Sequence, residues 1–337
     1  MGNFYDQWLN LWAEEQEERA RARKCIHEEE LEWVRTIQDY RAALLCARDN
    51  GFVTSGAAML AEIPKGWSTG KHSHGEEAIF IVDGKGFSIV EGKRYDWDTG
   101  SCLFMPYGIS HQHFNSGDSP VRYLSVMALA LERFAGLAKV MQYEEAHEIA
   151  MGEPEGIDKA DSDIHPEHGR IVLRLKDAPV QVGGEQTAET SRRDDEFNQS
   201  IAKEMRSAAS GGHHGRSIAL MRDPGNGFKA KEIEMTHVMC DGPGMHSGKH
   251  AHMEAVIYVL QGQGYSVVNG QKVDWKKGTL LHVQGPQTVH QHFNTGNSES
   301  QMLRIHYGLR SRFLQPIAKK VFPYLYYEFR GQSAAER

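Results

Sequence analysis

The sequence predicts an all-β core of two tandem jelly-roll β-barrels, with an N-terminal helical extension. Three observations support this. The pentapeptide His-Gln-His-Phe-Asn occurs twice, at His111–Asn115 and at His290–Asn294, and each copy follows a His-x-His, at His72/His74 and His250/His252. A repeat about 180 residues long is a duplicated domain rather than a solenoid unit. Between the histidine motifs lie short apolar runs divided by glycine turns, the pattern of antiparallel strands and not of a Rossmann-like sheet. The chain has 337 residues, 40% hydrophobic and 25% charged, which is globular and long enough for two separate cores.

Residues 1–50 form the helical segment. Phe4, Trp8, Leu11 and Trp12 make one apolar stripe, and Leu31, Val34, Ile37, Leu44 and Leu45 carry a three-to-four spacing toward residue 48. Asp49-Asn50-Gly51 ends it. Residues 51–132 form the first barrel, with strands AIFIV, FSIV, SCLFM and VRYLSVMALA and turns at Asp83-Gly84-Lys85-Gly86 and Glu91-Gly92-Lys93. Residues 133–215 form a connector, helical over RFAGLAKVMQYEEAHEIA and mobile through GGEQTAETSRRDDEF. Residues 216–312 form the second barrel, where VIYVL, YSVV and TLLHV repeat the first set. Asp96-Trp97 returns there as Asp274-Trp275, and Asn50-Gly51-Phe52 as Asn226-Gly227-Phe228. Residues 313–337 form an aromatic tail suited to docking on a barrel or on another subunit.

Composition narrows the function. A net charge of −7 gives no electrostatic footprint for nucleic acid. No apolar run reaches membrane-spanning length, and the first residues are too polar for a secretory signal. Cys25, Cys46, Cys102 and Cys240 are scattered without a CxxC, as expected of reduced thiols in a cytoplasmic protein. The outlier is histidine, with eighteen copies.

Residues i and i+2 of a strand face the same side. His72 and His74 therefore point together into the first barrel, and His250 and His252 into the second. A facing strand supplies a third imidazole, His111 or His290. Three neutral imidazoles with open positions suit Fe(II), Mn, Zn, Ni or Cu and are poor for Ca or Mg. His113 and His292 share strand parity with these ligands and are expected as pocket groups behind them. Arg304 and His306 lie on the strand after the second pentapeptide, where the first barrel has Ser125 and Met127. An inward Arg304 would grip a carboxylate as a fork.

At these motifs the chain resembles the cupin superfamily, and specifically its two-barrel members, the bicupins. The first half carries Gly66, then His72-Ser73-His74-Gly75-Glu76-Glu77 and Gly84, then Gly100, Pro106-Tyr107-Gly108 and His111. The resemblance covers residues 52–130 and 228–310 and implies two tandem cupin domains. It makes Glu77 an optional fourth ligand beside His72, His74 and His111. Ala255 stands at the matching position of the second barrel, which leaves His250, His252 and His290 there alone.

Bicupins with three-histidine iron sites resemble the gentisate and salicylate type of ring-cleaving dioxygenases. The resemblance implies an Fe(II) dioxygenase that cleaves a hydroxylated aromatic acid with dioxygen. A second reading is a decarboxylase, isomerase or lyase using Mn, Zn or Ni as Lewis acid, with Glu76, Glu77 or Glu254 as acid or base. A third is a small-molecule-binding or storage barrel, which has no physical need for six convergent imidazoles. Arg304, His306 and Glu254 are the candidate catalytic residues. The apolar helix and tail predict a homodimer or homotetramer.

Overall fold

The structure is a computed structural model that describes residues 3–149, 156–182, 216–221, 226–247 and 251–307. The connector run GGEQTAETSRRDDEF, His250 and the tail 313–337 lie outside the described residues.

Each half is a pair of antiparallel sheets folded face to face. The first has a six-stranded sheet in the order Val172–Arg174, Ser101–Met105, Glu77–Asp83, Val121–Met127, Ala57–Ile63, Arg41–Cys46. The second repeats it as Cys25–Ile26, Leu280–Val283, Ala255–Gln261, Ser300–Tyr307, Ile233–Asp241, Arg216–Ala219, and adds Val180–Val182. Opposite these lie the histidine strands His111–Asn115 and His290–Asn294, each paired with a hairpin, Lys85–Val90/Lys93–Asp98 or Gln263–Val268/Gln271–Lys276. The expected strands are all present, and every ladder between them is antiparallel.

The repeated glycines and tryptophans have a shared cause. Gly84 and Gly262 sit at positive φ (99° and 90°), where the chain turns between strands. A Cβ on Gly86 or Gly264 would overlap the indole of Trp97 or Trp275 and a backbone carbonyl of the facing histidine strand. The indole thus covers bare backbone, and the Asp-Trp pair recurs because the cover must.

The N-terminal segment corrects one expectation. Its helix covers Phe4–Arg21 and no further, with Asn3 as N-cap in a capping box with Asp6. Beyond it the chain is extended. Cys25–Ile26 joins the edge of the second barrel, opposite Leu281 and Leu280, and Arg41–Cys46 joins the edge of the first. Leu45 and Cys46 are fully buried there. The three-to-four spacing of Val34 to Leu45 arose from a short bridge, Val34 to Ala42, followed by a strand, so the wrong period was read. The expected connector helix over residues 133–150 is replaced by a short helix, Leu129–Ala135, that begins inside the expected strand VRYLSVMALA and is ended by Gly136 at φ 74°. The residues that follow are extended, with Met141–Gln142 and His147–Glu148 pairing with His72–Ser73 and Trp67–Ser68.

Between the barrels lies one shared apolar core. Leu60, Phe80 and Phe104 from the first half pack with Phe228, Val238 and Leu303 from the second, and Phe104 meets Phe228 edge-on at 6.5 Å. Each barrel has its own interior cluster as well, around Ile79, Leu103 and Tyr123 or around Ile257, Leu281 and Met302. Two carboxylates cross the shared core in opposite directions. Glu76 accepts the backbone N–H groups of Lys231 and Glu232, at 2.6 and 2.8 Å. Glu254 accepts that of Ser55 at 3.0 Å and also faces Nε2 of His282 at 2.9 Å. Ser55 stands three residues after Phe52, and Lys231 three after Phe228, so the two contacts are one contact repeated by the pseudo-two-fold axis.

Truncation of a buried, hydrogen-bonded carboxylate strands its partners. Glu254→Ala should cost about 2–4 kcal/mol in urea unfolding, with Glu254→Gln milder. A Glu254→Ala protein with an unchanged midpoint would show that this crossing contributes nothing to holding the halves together.

Candidate metal centres

In the first barrel His72 lies directly opposite His111 in the ladder, and His74 follows two residues on. The ring centroids of the three lie 4.3–4.8 Å apart, and their ligand nitrogens all fall within 4.8 Å of one another. Each ring is held through Nδ1 by a backbone carbonyl: Gly70 for His72 at 3.3 Å, Gly75 for His74 at 2.8 Å, and Ile109 for His111 at 2.8 Å. A ring that donates from Nδ1 keeps its lone pair on Nε2, the tautomer a metal ligand needs.

Glu77 enters the same space. Its Oε2 lies 3.4 Å from Nε2 of His74 and 3.6 Å from Nε2 of His111, while Oε1 accepts the hydroxyl of Ser125. Oε2 of Glu77 and Nε2 of His111 are fully buried and have no hydrogen-bond partner among the described residues. Two buried polar atoms aimed at one point are what a cation would satisfy. Ligand atoms around a metal at ~2.1 Å sit roughly 3–3.5 Å apart, which the carboxylate-to-imidazole distances match. The donor set therefore fits a transition metal.

Charge in the site follows from burial. Burial pushes the pKa of His72 down to about 2, and neighbouring imidazoles add to it. Burial also holds His111 below its ordinary value. It opposes the charged form of His74 too, but the Glu77 carboxylate outweighs that and raises this pKa. Glu77 itself is held well below the usual carboxylate range, because His111 and His74 overcome the effect of burial.

His113 plays a different part. Trp97 Nε1–H donates to Ser88 Oγ at 2.8 Å, and Ser88 Oγ lies 2.7 Å from Nδ1 of His113. Ser88 Oγ thus bridges the indole and the His113 ring, and ligand atoms of Glu77, His111 and His113 lie within 4.8 Å of one another. His113 is a wall of the pocket, its pKa lowered to about 3 by burial.

The second barrel follows the plan with changed walls. The rings of His252 and His290 lie 4.6 Å apart, and Nδ1 of each faces a carbonyl, that of Met253 at 2.6 Å and of Thr288 at 2.8 Å. Ser266 stands 2.7 Å from Nδ1 of His292, as Ser88 does from His113. Ala255 lines the interior where the first barrel has Glu77. Arg304 lies opposite Ile257, the register position that Ser125 holds opposite Ile79. That is the inward face of the strand, shared with Met302 and His306. Arg304 reaches Thr236 Oγ1 at 3.3 Å and Nδ1 of His237 at 3.4 Å, and the His306 ring lies 5.7 Å from that of His252.

Glu254, expected among the acid–base groups, is a correction. Strand alternation turns it away from Ala255 into the interface between barrels, where Ser55 and His282 hold it. The same alternation removes Glu76 from the pocket.

Sequence reasoning missed three residues. Ser125 fixes the Glu77 carboxylate, Asp39 is buried against the hydroxyl of Tyr123 inside the first barrel, and Glu132 lies against Gly75, where a Cβ would collide with its carboxylate. The alternation of the strand after the first pentapeptide could have flagged Ser125. Asp39 and Glu132 come from segments whose fold the sequence misassigned. A further group, Glu91, His165 and His168, brings ligand atoms together at the surface. There Nδ1 of His165 accepts the N–H groups of Glu167 and His168, so its proton faces Glu91 from Nε2. The neutral His165 ring then donates to the Glu91 carboxylate, a hydrogen bond that leaves no Nε2 lone pair for a metal.

The cupin domain family matches residues 59–127 and 237–306. A gentisate 1,2-dioxygenase of Ralstonia sp is 32% identical over 71 residues, 20% of this chain and 20% of that protein. The chain thus matches about a fifth of the length of that relative. Among solved structures it is similar to salicylate 1,2-dioxygenase from Pseudaminobacter salicylatoxidans, with a TM-score of 0.54 and 16% identity over 84% of this chain and 78% of that one. It is also similar to a deletion variant of Bacillus subtilis oxalate decarboxylase, with a TM-score of 0.60 and 13% identity over 86% and 78%. At these identities the structural likeness speaks to fold alone.

Two measurements test the first centre. Because the Glu77 carboxylate outweighs burial and holds the His74 pKa above its ordinary value, the metal-free protein keeps that proton to higher pH than a free imidazole would. In a His252→Ala background, calorimetry in buffers of different ionisation enthalpy should find net proton release on metal binding at mildly acidic pH. The release should fall in Glu77→Gln; equal release in both would refute the coupling. Ser125→Ala frees Oε1 of Glu77 and should weaken metal binding about 10–100-fold by competition with a chelator.

Proposed function

Given that the chain is a bicupin, we propose that it is a metal-dependent oxidoreductase, a non-heme Fe(II) dioxygenase that cleaves a hydroxylated aromatic acid, with chemistry in the second barrel. One observation carries this reading: Ala255 replaces the inward carboxylate and Arg304 replaces Ser125 on the same wall. Three imidazoles, His250, His252 and His290, would hold the metal. With Ala255 in place of a carboxylate on that wall, the space beside the metal would stay open to a small hydroxy acid. In the first barrel Glu77 would take that space. Bound iron would supply the one-electron chemistry that lets dioxygen react with a closed-shell ring.

The remaining work falls to the chain. Arg304 presents a planar cation to the substrate carboxylate and fixes the ring in one orientation. His306, in the same pocket as His252, holds or delivers a proton at the phenolic oxygen. The apolar wall of Met239, Ile257 and Met302 excludes water from the ring. The stretch of 71 residues that is 32% identical to a gentisate 1,2-dioxygenase supports the substrate class.

A second reading has its own observation. Glu77, set between His74 and His111, gives the first barrel a three-histidine, one-carboxylate set, and the fold likeness extends to an oxalate decarboxylase. That site would favour a non-oxidative Lewis-acid reaction with Mn, Zn or Ni.

Oxygen uptake by the iron-loaded protein over a panel of hydroxylated benzoic acids tests the proposal. We expect uptake to disappear in His252→Ala and persist in His74→Ala. Arg304→Gln should lower kcat/KM about 10–100-fold, mainly through KM, on acids and not on matching phenols. Uptake lost only in His74→Ala would move the chemistry to the first barrel.

A further inference from the structure

Asp39 is a buried carboxylate that the chemistry above does not use. It is 1% exposed, accepts the hydroxyl of Tyr123, and has no cationic partner among the described residues. It sits on a loop outside the repeat, residues 36–40. The Thr36 hydroxyl ties this loop into a turn by accepting the N–H groups of Gln38 and Asp39, at 3.1 and 2.8 Å. The loop is fastened to the first barrel on two sides. Gly70 N–H donates to the carbonyl of Gln38 and Ala146 N–H to that of Ile37, each at 2.8 Å. Gln142 Nε2 donates to Gln38 Oε1 at 3.0 Å. A Cβ on Gly70 would overlap both glutamine side chains, and the Gly70 carbonyl itself faces Nδ1 of the ligand His72. These ties drive Asp39 into the barrel beside the first metal centre.

Inside, Asp39 completes a second polar layer behind the ligand layer. Tyr123 and Ser125 stand two residues apart on one strand and face the same side, as do His111 and His113 on another. Ser125 holds Glu77, and Tyr123 holds Asp39. The Tyr123 ring lies 5.9 Å from that of His113, which lies 5.6 Å from that of His111. Burial, with a smaller push from the Glu77 charge, lifts the Asp39 pKa to about 6 against the hydrogen bond from Tyr123. Two like charges in one buried interior repel, and a divalent cation held at Glu77 would reverse the sign that Asp39 faces. In the second barrel Ala255 stands for Glu77. Met302, opposite Val259 as Tyr123 is opposite Ile81, stands for Tyr123. The inward carboxylate and the hydroxyl that holds Asp39 therefore change together.

We propose that Asp39 is the outer counter-charge of the first metal centre, a positioning residue that strengthens cation binding there and keeps anions out of that barrel. The inference rests on the reading that the first barrel holds a metal. Asp39 belongs to neither group of converging ligand atoms in that barrel, so it sets charge and not coordination. Glu77 and Asp39 together match the charge of a divalent cation. A metal held beside them would offer little attraction to a substrate carboxylate and would take a neutral oxygen ligand: water, an alcohol or a carbonyl. For the Lewis-acid reading of this barrel, that narrows the substrate to an uncharged one. The two barrels then divide small molecules by charge, anions toward Arg304 and neutral molecules toward Asp39.

Co(II) binding by the full-length chain tests this at about pH 7.5, above the Asp39 pKa of about 6, where the carboxylate is charged. In a His252→Ala background, which leaves the first centre, Asp39→Asn keeps an acceptor for Tyr123 and removes the charge. Chelator competition should show Co(II) affinity about 10–100-fold lower, with the visible spectrum of bound Co(II) unchanged. Azide binding to the Co(II) form, followed in the same spectrum, should become about 3–10-fold tighter. A residue with only a structural part would weaken both. In a His74→Ala background the same substitution should leave Co(II) binding at the second centre unaltered. Should Asp39→Asn unfold, Asp39→Leu with Tyr123→Phe replaces the pair by apolar groups and should give the same two shifts. Equal Co(II) affinity with and without Asp39, or azide binding that does not tighten, overturns the proposal while the first centre stands. No Co(II) bound by the His252→Ala protein overturns the reading of that centre, and the proposal with it.

Discussion

Strand alternation at Glu76 and Glu77 is the constraint on which the rest of this molecule depends. Successive side chains of a strand face opposite sides. Here one carboxylate must look into the barrel at His74 and His111, and its neighbour must look out across the core to the backbone of Lys231 and Glu232. A slip of one residue would exchange them. It would empty the metal site of its carboxylate and leave two interface N–H groups without an acceptor. Register, site and domain packing are therefore a single choice. The second barrel makes the same choice at Glu254 and Ala255, and there only the outward carboxylate is kept.

The divergence between the halves is consequently confined to inward positions. Glu254 and Glu76, Phe228 and Phe52, and Trp275 and Trp97 do the same work on equivalent elements. Glu77 and Ser125 have become Ala255 and Arg304. In the first barrel the negative charge sits against the ligand imidazoles and is balanced by them, which is why His74 is held above and Glu77 below their ordinary pKa values. In the second barrel that negative charge is gone and a positive one lines the pocket wall. A metal held there by imidazoles beside an arginine would be an anion site, whereas one also bearing a carboxylate would be closer to neutral. The two pockets thus present opposite electrostatic demands to the same kind of small molecule.

Much of this was legible in the sequence, because the repeat supplied each inference twice. Both barrels, the order of their strands and the first histidine triplet follow from spacing and alternation. What failed was read from a single copy. The spacing from Val34 to Leu45 resembles a helix but serves a bridge and an edge strand, since barrel edges need short added strands that carry no period of their own. Glu254 looked catalytic because it follows a histidine motif, and the parity of Ala255 beside it was the overlooked signal. Asp39 is buried against Tyr123 from an irregular segment, and no pattern of residues announces a contact made by a loop between two sheets.

The edge strands explain how two barrels that need not share anything come to share a core. On the first barrel the edge beside Ser101–Met105 is covered by Val172–Arg174, from the connector. On the second the equivalent edge is covered by Cys25–Ile26, from the far N-terminus. An open edge that would invite pairing with another molecule is thus closed each time by a segment from outside the barrel it covers. Separate expression of either half would remove an edge strand from the barrel left behind, along with the acceptor or donor side of the crossing carboxylates. The halves are repeats in sequence, but in energetic terms they form one unit. That unity lets the inward walls diverge, because neither pocket has to stabilise its own barrel alone.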